Sequence, residues 1–400
     1  MKLSAGGHLT YCTNIHPGES WVEVFQSLKQ NVPEVKKRVA PDKPFGVGLR
    51  LSNKASEELI SQGVESFKNW MKDEDLYVFT MNGFPYGGFH HQVVKDRVHH
   101  PDWTTSERLH YTLRLFQLLG ALLPSGISGG ISTSPLTYRH WWDQGELHQV
   151  FEKATEHLVE VVEFLYGYWK KTGVVMHLDI EPEPDGLLEN TSEFVAYFND
   201  WLLPRGQVAL AKSLDISPGE AREVILRHIQ LCYDICHFAV GYEQPHEVMN
   251  SLKRSGIGIG KIQISAALKA EYSLGEDRSV FHQAFQSLDE PTYLHQVMAR
   301  DQEGNLQAYQ DLSQALRHID EAEVIEWRTH FHVPVFVTSY GLLQSTREDI
   351  VSTLRLWKQQ QMTQHLEVET YTWQVLPPEL QQEITSSIAR ELNWVKQQLI

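Results

Sequence analysis

Short apolar runs of strand type alternate with amphipathic helical patterns along almost the whole chain. The apolar runs predict nine strands, which lie at 9–12, 45–51, 76–81, 127–133, 174–180, 229–234, 259–265, 333–338 and 365–371. The helical patterns repeat their apolar positions about every 3.6 residues and are clearest at 20–38, 54–73, 104–123, 145–171, 217–228, 244–255, 344–361 and 378–398. Strands and helices in regular alternation predict a parallel sheet joined by helical crossovers.

The alternation and the length of 400 residues favour a single α/β domain over 1–400, a (β/α)8 TIM barrel. Nine strands are one too many for eight positions, so we expect one of them to lie outside the barrel or to be a loop. The segment 293–310 predicts a hairpin with its turn at 304–305. We expect this hairpin to belong to an insertion at 266–328 that, together with the loop 82–103, enlarges the C-terminal mouth.

Polar and apolar side chains alternate within several predicted strands. In 174–181 the polar His177, Asp179 and Glu181 share one face, and in the last predicted strand the polar face ends at Glu369. Alternate residues of a barrel strand face the barrel axis. These faces therefore indicate a polar interior that is richest at the C-terminal mouth, where TIM-barrel enzymes carry their sites. The alternative is the solvated face of an antiparallel sheet, against which the helical crossovers count.

Composition and charge exclude several classes of function. The net charge of −16 argues against DNA or RNA as a partner. Hydrophobic residues make up 42 % of the chain, enough for a large core and too much for a disordered protein. Because no segment approaches the roughly 18 apolar residues of a membrane span or resembles a secretory leader, we expect a cytoplasmic protein. Cys12, Cys232 and Cys236 are too few for a disulfide framework.

Acidic side chains stand at the ends of three predicted strands. Glu181 lies in HLDIEPEPD, Asp234 lies three residues before His237 in YDICH, and Glu369 lies in HLEVETYTW. Carboxylate and imidazole groups are suitable ligands for Mn, Co, Mg or Zn. We therefore predict that Glu181, Asp234 and Glu369 bind one divalent cation at the mouth.

Two further residue types are candidates for the rest of the ligand set. Gln263 lies near the end of the seventh predicted strand, and His332 belongs to the pair His330-x-His332, whose members would share a face if they lay in a strand. We predict that Gln263 or His332 completes the metal shell. Each carboxylate also has a structural alternative. Glu181 could lie in a solvated turn, Asp234 could cap a helix, and Glu369 could form an ion pair with Arg50.

The loop 82–103 is long and rich in Gly, Pro, aromatic residues and His. Such a composition is typical of a functional loop, although a packed aromatic loop would have the same composition. The predicted substrate contacts, from this loop and from other strand ends, are Asn82, His90, Lys95, His16, His295 and Arg50. Of these, Lys95 could hold a phosphate. The sequence contains neither a Walker A loop nor a G-x-S-x-G elbow.

The order of the acidic motifs resembles that of the xylose-isomerase-like TIM barrels, which include sugar isomerases, ketose epimerases and endonuclease-IV-type nucleases. This resemblance implies a divalent metal on Glu181, Asp234 and Glu369. In the epimerase branch the residues that match Glu181 and Glu369 also move the substrate proton, which makes these two the base and acid candidates. His237 would orient a substrate oxygen or bind a second ion. Gln263 departs from the pattern, which has a His at that position.

Longer motifs cover nearly the whole chain and look like those of the EboE family of metabolite-traffic proteins. In chain order they are TYCTNIHPGESW, NGFPYGGFH, LDIEPEPDG, CYDICHFAV, YLHQV, HFHVP and EVETYTWQVLP. The resemblance implies a TIM barrel from a conserved bacterial and algal-plastid gene cluster, with other proteins of the ebo cluster as partners. In cyanobacteria that cluster is implicated in delivering a secondary-metabolite precursor toward the periplasm.

The residues and the resemblance together predict a metal-dependent isomerase or epimerase that acts on a small sugar-like or polyol-like metabolite in secondary-metabolite traffic. Two alternatives stay open. The barrel could bind and pass on a metabolite without turnover, or it could be a multi-zinc hydrolase that uses His90, His237, His330 and His332. A homo-oligomer would suit this fold, and neither nucleic acid nor a membrane is an expected partner.

Overall fold

The computed structural model describes residues 1–88, 94–273, 276–321, 323–371 and 383–400. Its strands are β1 (His8–Tyr11), β2 (Phe45–Arg50), β3 (Leu76–Asn82), β4 (Gly129–Thr133), β5 (Met176–Ile180), β6 (Ile229–Asp234), β7 (Ile259–Ile264), β8 (Leu268–Glu271), β9 (Val297–Asp301), β10 (Leu306–Tyr309), β11 (Val324–Thr329), β12 (Ser339–Tyr340), β13 (Leu343–Ser345) and β14 (His365–Val368). Eight of them form one parallel sheet in the order β1-β14-β7-β6-β5-β4-β3-β2. This order is that of a TIM barrel, as the alternating pattern predicted.

The sheet closes between β1 and β2 through a side chain as well as the backbone. Cys12, just beyond β1, forms an isolated parallel bridge with Gly48 of β2. The Thr10 hydroxyl donates to the Gly46 carbonyl at 2.7 Å and accepts from the Gly48 amide at 3.0 Å. These two bonds satisfy the Gly46 carbonyl and the Gly48 amide, which a regular β-ladder would pair with backbone groups of β1. Together with the bridge at Cys12 they leave the barrel nearly closed.

Helices surround the barrel and cover the outer face of its strands. They are α1 (Trp21–Val39), α2 (Asn53–Gln62), α3 (Glu65–Asp73), α4 (Ser106–Leu122), α5 (Leu147–Thr172), α6 (Thr191–Tyr197), α7 (Leu203–Leu214), α8 (Pro218–His228), α9 (Ile235–Val240), α10 (Pro245–Ser255), α11 (Ser279–Gln286), α12 (Leu312–Ala315), α13 (Arg347–Gln360) and α14 (Ile384–Leu399). Shorter helical turns lie at Thr13–Ile15, Lys95–His99, Arg139–Trp141, Phe198–Leu202 and Leu316–His318.

Most predicted helices are confirmed, and the differences have local causes. The single helix predicted at 54–73 is two helices, because the chain turns at Gly63 with a positive φ of 80°. The segment 191–214 is helical although no helix was predicted there. The helix predicted at 378–398 begins at Ile384, and its first residues lie outside the described ones.

A second sheet of six strands, in the order β10-β9-β11-β8-β13-β12, is inserted between β7 and α13. Its pairs are antiparallel. The predicted hairpin is confirmed as β9 and β10, with Gly304 at φ +87° in the turn. The insertion reaches Ser345 and is therefore longer than the predicted 266–328.

The prediction of a strand at 333–338 is wrong. The other eight predicted strands are the eight strands of the barrel. Its apolar side chains are buried, as Val333 and Val335 illustrate. Its backbone amides, however, bond outside any ladder: the Val333 amide donates to the Ala266 carbonyl at 3.0 Å, and the Val335 amide donates to Glu391 at 3.1 Å. A buried loop thus has the same apolar pattern as a buried strand.

The lower interior of the barrel is polar and is made possible by glycine. His177 lies 2.6 Å from Asp179, and Lys261 lies 3.4 Å from Glu367. A Cβ added to Gly260 would overlap the Asp179 carboxylate and come within 2.6 Å of the His177 ring. The absence of a side chain on that strand therefore leaves the space that these buried groups occupy.

We expect Gly260→Ala to lower the free energy of unfolding by about 1–3 kcal/mol, the usual cost of overpacking. Gly167→Ala is the matched control, because a Cβ there meets nothing within 4 Å and alanine favours the helix by about 0.5–1 kcal/mol. Urea unfolding of both variants measures the difference. Equal stabilities would contradict a close-packed polar interior.

Candidate metal centre

Three acidic side chains converge at the C-terminal mouth. Glu181 follows β5, Asp234 ends β6 and Glu369 follows β14. All three are buried, and one carboxylate oxygen of each lies within 4.8 Å of the others. Parallel strands carry these residues to the same edge of the sheet, so positions far apart in sequence meet there.

The side-chain amide of Gln263, near the end of β7, lies between the three carboxylates. Its Nε2 lies 3.1 Å from Glu181 Oε1, 3.1 Å from Asp234 Oδ2, and in contact with Glu369 Oε2. Its Oε1 accepts from the Cys232 thiol at 3.1 Å. An amide nitrogen has two hydrogens, so it cannot serve three carboxylates fully. Glu181 Oε2, moreover, has no hydrogen-bond partner among the described residues.

Burial and mutual repulsion make the carboxyl groups of Glu181 and Glu369 weak acids. Burial, followed by the neighbouring Asp234, raises the pKa of Glu369 to about 8. Burial and the charge of Glu369 likewise raise the pKa of Glu181 well above its usual value. A divalent cation would compensate the same negative charge by binding in place of the protons. Three neighbouring carboxylate oxygens, one from each residue, form a donor set that fits such an ion, and Glu181 Oε2 is a fourth oxygen without a hydrogen-bond partner among the described residues.

Two imidazoles face each other beside this cluster. His237 Nδ1 lies 3.1 Å from the Pro182 carbonyl, and His332 Nδ1 lies 3.1 Å from the Glu369 carbonyl. Burial lowers the pKa of both rings, which are therefore neutral. We assign the hydrogen to Nδ1 from these bonds. The Nε2 lone pairs then face each other at 3.4 Å, with Asp234 oxygens 3.9 and 4.0 Å away.

A third imidazole extends the group toward the cavity. His330 Nδ1 lies 2.8 Å from Gln296 Oε1, while its buried Nε2 has no hydrogen-bond partner among the described residues. Ligand atoms of Glu183, His237 and His330 also lie within 4.8 Å of one another. Nitrogen lone pairs beside carboxylates are a donor set typical of zinc. The centre thus offers two sets of ligands. The set called here the carboxylate group consists of Glu181, Asp234 and Glu369, and the adjoining imidazole group consists of His237, His330 and His332. Asp234 lies close to both sets.

The predicted ligands and catalytic candidates come together. Glu181, Asp234, Glu369, His237, Gln263 and His332 form this cluster. The predicted alternative of an ion pair between Glu369 and Arg50 is not formed. The Arg50 side chain instead contacts the Gly18 carbonyl at 3.2 Å and Glu19 at 3.3 Å.

The predicted substrate contacts are more scattered. Asn82 and Lys95 line the cavity above the centre. Arg50, His16 and His295 lie outside the described wall, and the two histidines are held by Tyr11 at 2.9 Å and Glu290 at 3.0 Å respectively. His90 lies outside the described residues. A role of these side chains in substrate binding stays a prediction.

Asn14, His99 and Gln296 reach the centre without being among the predicted contacts, and Asn14 binds the same oxygen as the predicted contact Asn82. Asn14 donates to Glu369 Oε1 at 2.6 Å, and Asn82 donates to the same oxygen at 3.0 Å. His99 lies 2.9 Å from Glu183. The position of Asn14 just after a strand was a usable signal. His99 and Gln296, in contrast, depend on how a long loop and the inserted sheet fold back over the mouth.

The cavity above the centre has a volume of about 70 Å³. Its floor is polar, and its upper wall is apolar and aromatic. The apolar and aromatic lining residues, here called the upper wall, are Phe84, Pro85, Val94, Val98, Tyr293, Leu294 and Tyr371, and the polar Lys95, His99 and Gln296 line the cavity beside them. A ligand in this cavity would therefore meet oxygen and nitrogen ligands at one end and hydrocarbon at the other.

No family model and no curated protein matches the chain. Among solved structures it is similar to a xylose isomerase-like TIM barrel protein from Mycobacterium smegmatis in complex with magnesium, with 11 % identity, a TM-score of 0.47, and coverage of 99 % of this chain and 98 % of that one. It is also similar to a probable 3-DHS dehydratase, AsbF, from Bacillus anthracis, involved in petrobactin synthesis. That match has 12 % identity and a TM-score of 0.42, and covers 96 % of this chain and 97 % of that one.

A third similar structure is the IOLI protein with a bound zinc atom, at 12 % identity and a TM-score of 0.43, with 98 % of each chain covered. At these low identities and TM-scores, the similarity gives no information about the chemistry of the site. No helix among the described residues is long and apolar enough to cross a bilayer.

We expect the affinity of the centre for Mn²⁺ to rise with pH. Glu369, with a pKa of about 8, keeps its proton below that pH, so an incoming cation must displace the proton. Each displaced proton weakens apparent binding by up to about tenfold per pH unit below the pKa. Calorimetric titrations at several pH values up to 8 measure the trend, and Glu369→Gln should make it shallower. An affinity independent of pH would contradict the protonated centre.

Proposed function

We propose that the protein is a metal-dependent isomerase or epimerase acting on a small hydroxy-carbonyl metabolite. The observation that carries the proposal is the convergence of three buried carboxylates, from three different strands, at the barrel mouth. Buried carboxylates without a compensating charge are costly. Their geometry suits one divalent cation held by Glu181, Asp234 and Glu369.

When bound, such a cation supplies Lewis-acid polarisation of a carbonyl and its neighbouring hydroxyl group. The remaining chemistry belongs to the chain. Glu181 and Glu369, whose carboxylate oxygens lie within 4.8 Å of each other, are the candidates for general base and general acid. Asn14 and Asn82 hold Oε1 of Glu369, so its other oxygen is the one turned to the centre. His237 would orient a substrate oxygen from the side.

The first test is the metal content of Asp234→Asn. Asp234 belongs to both the carboxylate group and the imidazole group, so its loss should remove most of the bound metal after dialysis. Elemental analysis of the purified protein measures metal per chain. Asp200→Asn, at an exposed position, should retain the wild-type content. Undiminished metal in Asp234→Asn would count decisively against the proposal.

Gln263→His tests how the amide affects the site. In the wild type the amide must turn its nitrogen away before a cation can occupy the carboxylate group. An imidazole adds a nitrogen ligand and removes that competition, so we expect Zn²⁺ to bind at least about tenfold more tightly. The control is Gln230→His near the start of β6, which should leave affinity unchanged. Weaker binding in Gln263→His would indicate that the amide is itself a required ligand.

A second candidate, a multi-zinc hydrolase, is favoured by the imidazole group. His237 and His332 face each other at 3.4 Å, and His330 Nε2 has no partner among the described residues. Two adjacent metal ions could activate water for hydrolysis. Zinc stoichiometry separates the candidates: one ion per chain favours the isomerase, and two or three favour the hydrolase. The loss of one ion in His332→Asn would assign that ion to the imidazole group.

Membership of the EboE family is part of the proposal and rests on motif order alone. It would make the ligand a metabolite precursor in secondary-metabolite traffic and other proteins of the ebo cluster its partners. A cytoplasmic location and a homo-oligomer likewise stay predictions. The same cavity could serve binding without turnover, which Gln263 in place of a His favours. Retention of a metabolite by metal-free protein would identify that case.

A further inference from the structure

We infer that the substrate of the proposed site carries no phosphate group and presents a flat apolar flank to the upper wall of the cavity. This inference rests on the proposed function and narrows its substrate class. The predicted class was sugar-like or polyol-like, with Lys95 as a possible phosphate contact. The charges, hydrogen bonds and apolar surface of the cavity point to a ring-bearing compound with two adjacent oxygen atoms.

Among the described residues, the cavity wall offers no unpaired Lys or Arg side chain for a phosphate. Lys95 is the single Lys or Arg among the described wall residues. Its ammonium group is paired with Asp311, and the pair is partly buried, with side chains 32 % and 15 % exposed. Asp311 is itself fixed, because it accepts from the backbone amides of His295 at 3.2 Å and Leu312 at 3.0 Å.

The residues outside the described ranges add no Lys or Arg side chain. Their sequences are FHHQV at 89–93, LG at 274–275, A at 322 and TWQVLPPELQQ at 372–382. None of them contains Lys or Arg. Recognition of phosphate uses guanidinium, ammonium or clustered amide donors.

The amide groups of the wall are also engaged within the protein. Gln296 donates to the Pro184 carbonyl at 3.1 Å, and its oxygen lies 2.8 Å from His330 Nδ1. Asn82 donates to Glu369 at 3.0 Å and accepts from the Phe84 amide at 3.0 Å. A polyhydroxylated sugar needs many hydrogen-bond partners, and burying a hydroxyl group without one costs binding free energy. Neither of these two amides is therefore available to the hydroxyl groups of a sugar.

The upper wall instead offers hydrocarbon and aromatic surface. Val98 comes from the turn after β3, while Leu294 and Tyr293 come from the inserted segment before β9. Tyr371 packs against the His332 ring with centroids 4.5 Å apart and planes 31° apart. A planar ring would be buried against this wall while its two adjacent oxygens reach the cation.

The experiment compares three probes on protein saturated with Zn²⁺ and freed of excess metal: catechol, D-fructose and D-fructose 6-phosphate. Calorimetry should give catechol at least about tenfold tighter binding than D-fructose, a difference that burial of one ring face can supply. The phosphate should bring no gain over D-fructose. Tighter binding of the phosphorylated sugar, or equal binding of catechol and D-fructose, would overturn the inference.

Variants test the apolar wall separately from the metal. Leu294→Asn and Val98→Asn should weaken catechol binding by about tenfold while Zn²⁺ binding stays at the wild-type value, which also demonstrates folding. Val208→Asn, whose parent side chain is 73 % exposed, is the matched control and should change neither. Failure of the wild type to bind Zn²⁺ would overturn the proposed function and this inference together. Normal Zn²⁺ binding with unchanged catechol affinity in both wall variants would overturn the inference alone.

Discussion

Buried negative charge at the barrel mouth is the constraint on which the rest of the site depends. Two unit charges 4 Å apart repel by about 4 kcal/mol at an effective dielectric constant near 20. Glu181, Asp234 and Glu369 lie within such distances of one another. Three features reduce this repulsion: the raised pKa of Glu181 and Glu369, which favours their protonated forms, the amide hydrogens of Gln263, and the positive charge of Lys261.

The layer beneath the centre explains how the barrel tolerates that charge. Lys261 Nζ contacts Glu367 at 3.4 Å, Ser132 Oγ at 3.2 Å and the Met81 carbonyl at 3.3 Å. The positive charge lowers the pKa of Glu181 and Glu369 somewhat, against the larger effect of burial. Because the interior of this layer is filled by ionic groups rather than aliphatic ones, glycine at position 260 is needed for space.

The carboxylate half of the centre could be predicted from the sequence because it depends on local geometry. In a strand, alternate residues face opposite sides, so the pattern around Glu181 and Glu369 indicated which side chains face the axis. The barrel then brings the strand ends together. Arg50 and His16 were not predictable in the same way. Arg50 ends β2 and donates to the Gly18 carbonyl, and His16 lies beyond β1 and bonds to the hydroxyl of Tyr11 at the end of that strand. A sequence does not reveal which polar partner a loop will bring nearest.

The imidazole half depends on the inserted sheet and on the loop that follows β11. The sequence indicated His330 and His332 as candidates but not the fold of the segment that carries them. His330 and His332 lie beyond β11, in a buried loop rather than a strand. The loop is fixed by Phe331, whose ring stacks on His295 with centroids 3.7 Å apart and planes 8° apart. The barrel contributes the oxygen ligands and His237, and the insertion contributes His330, His332 and part of the apolar wall. Changes in the insertion would therefore alter metal preference and substrate fit while the carboxylates stay in place.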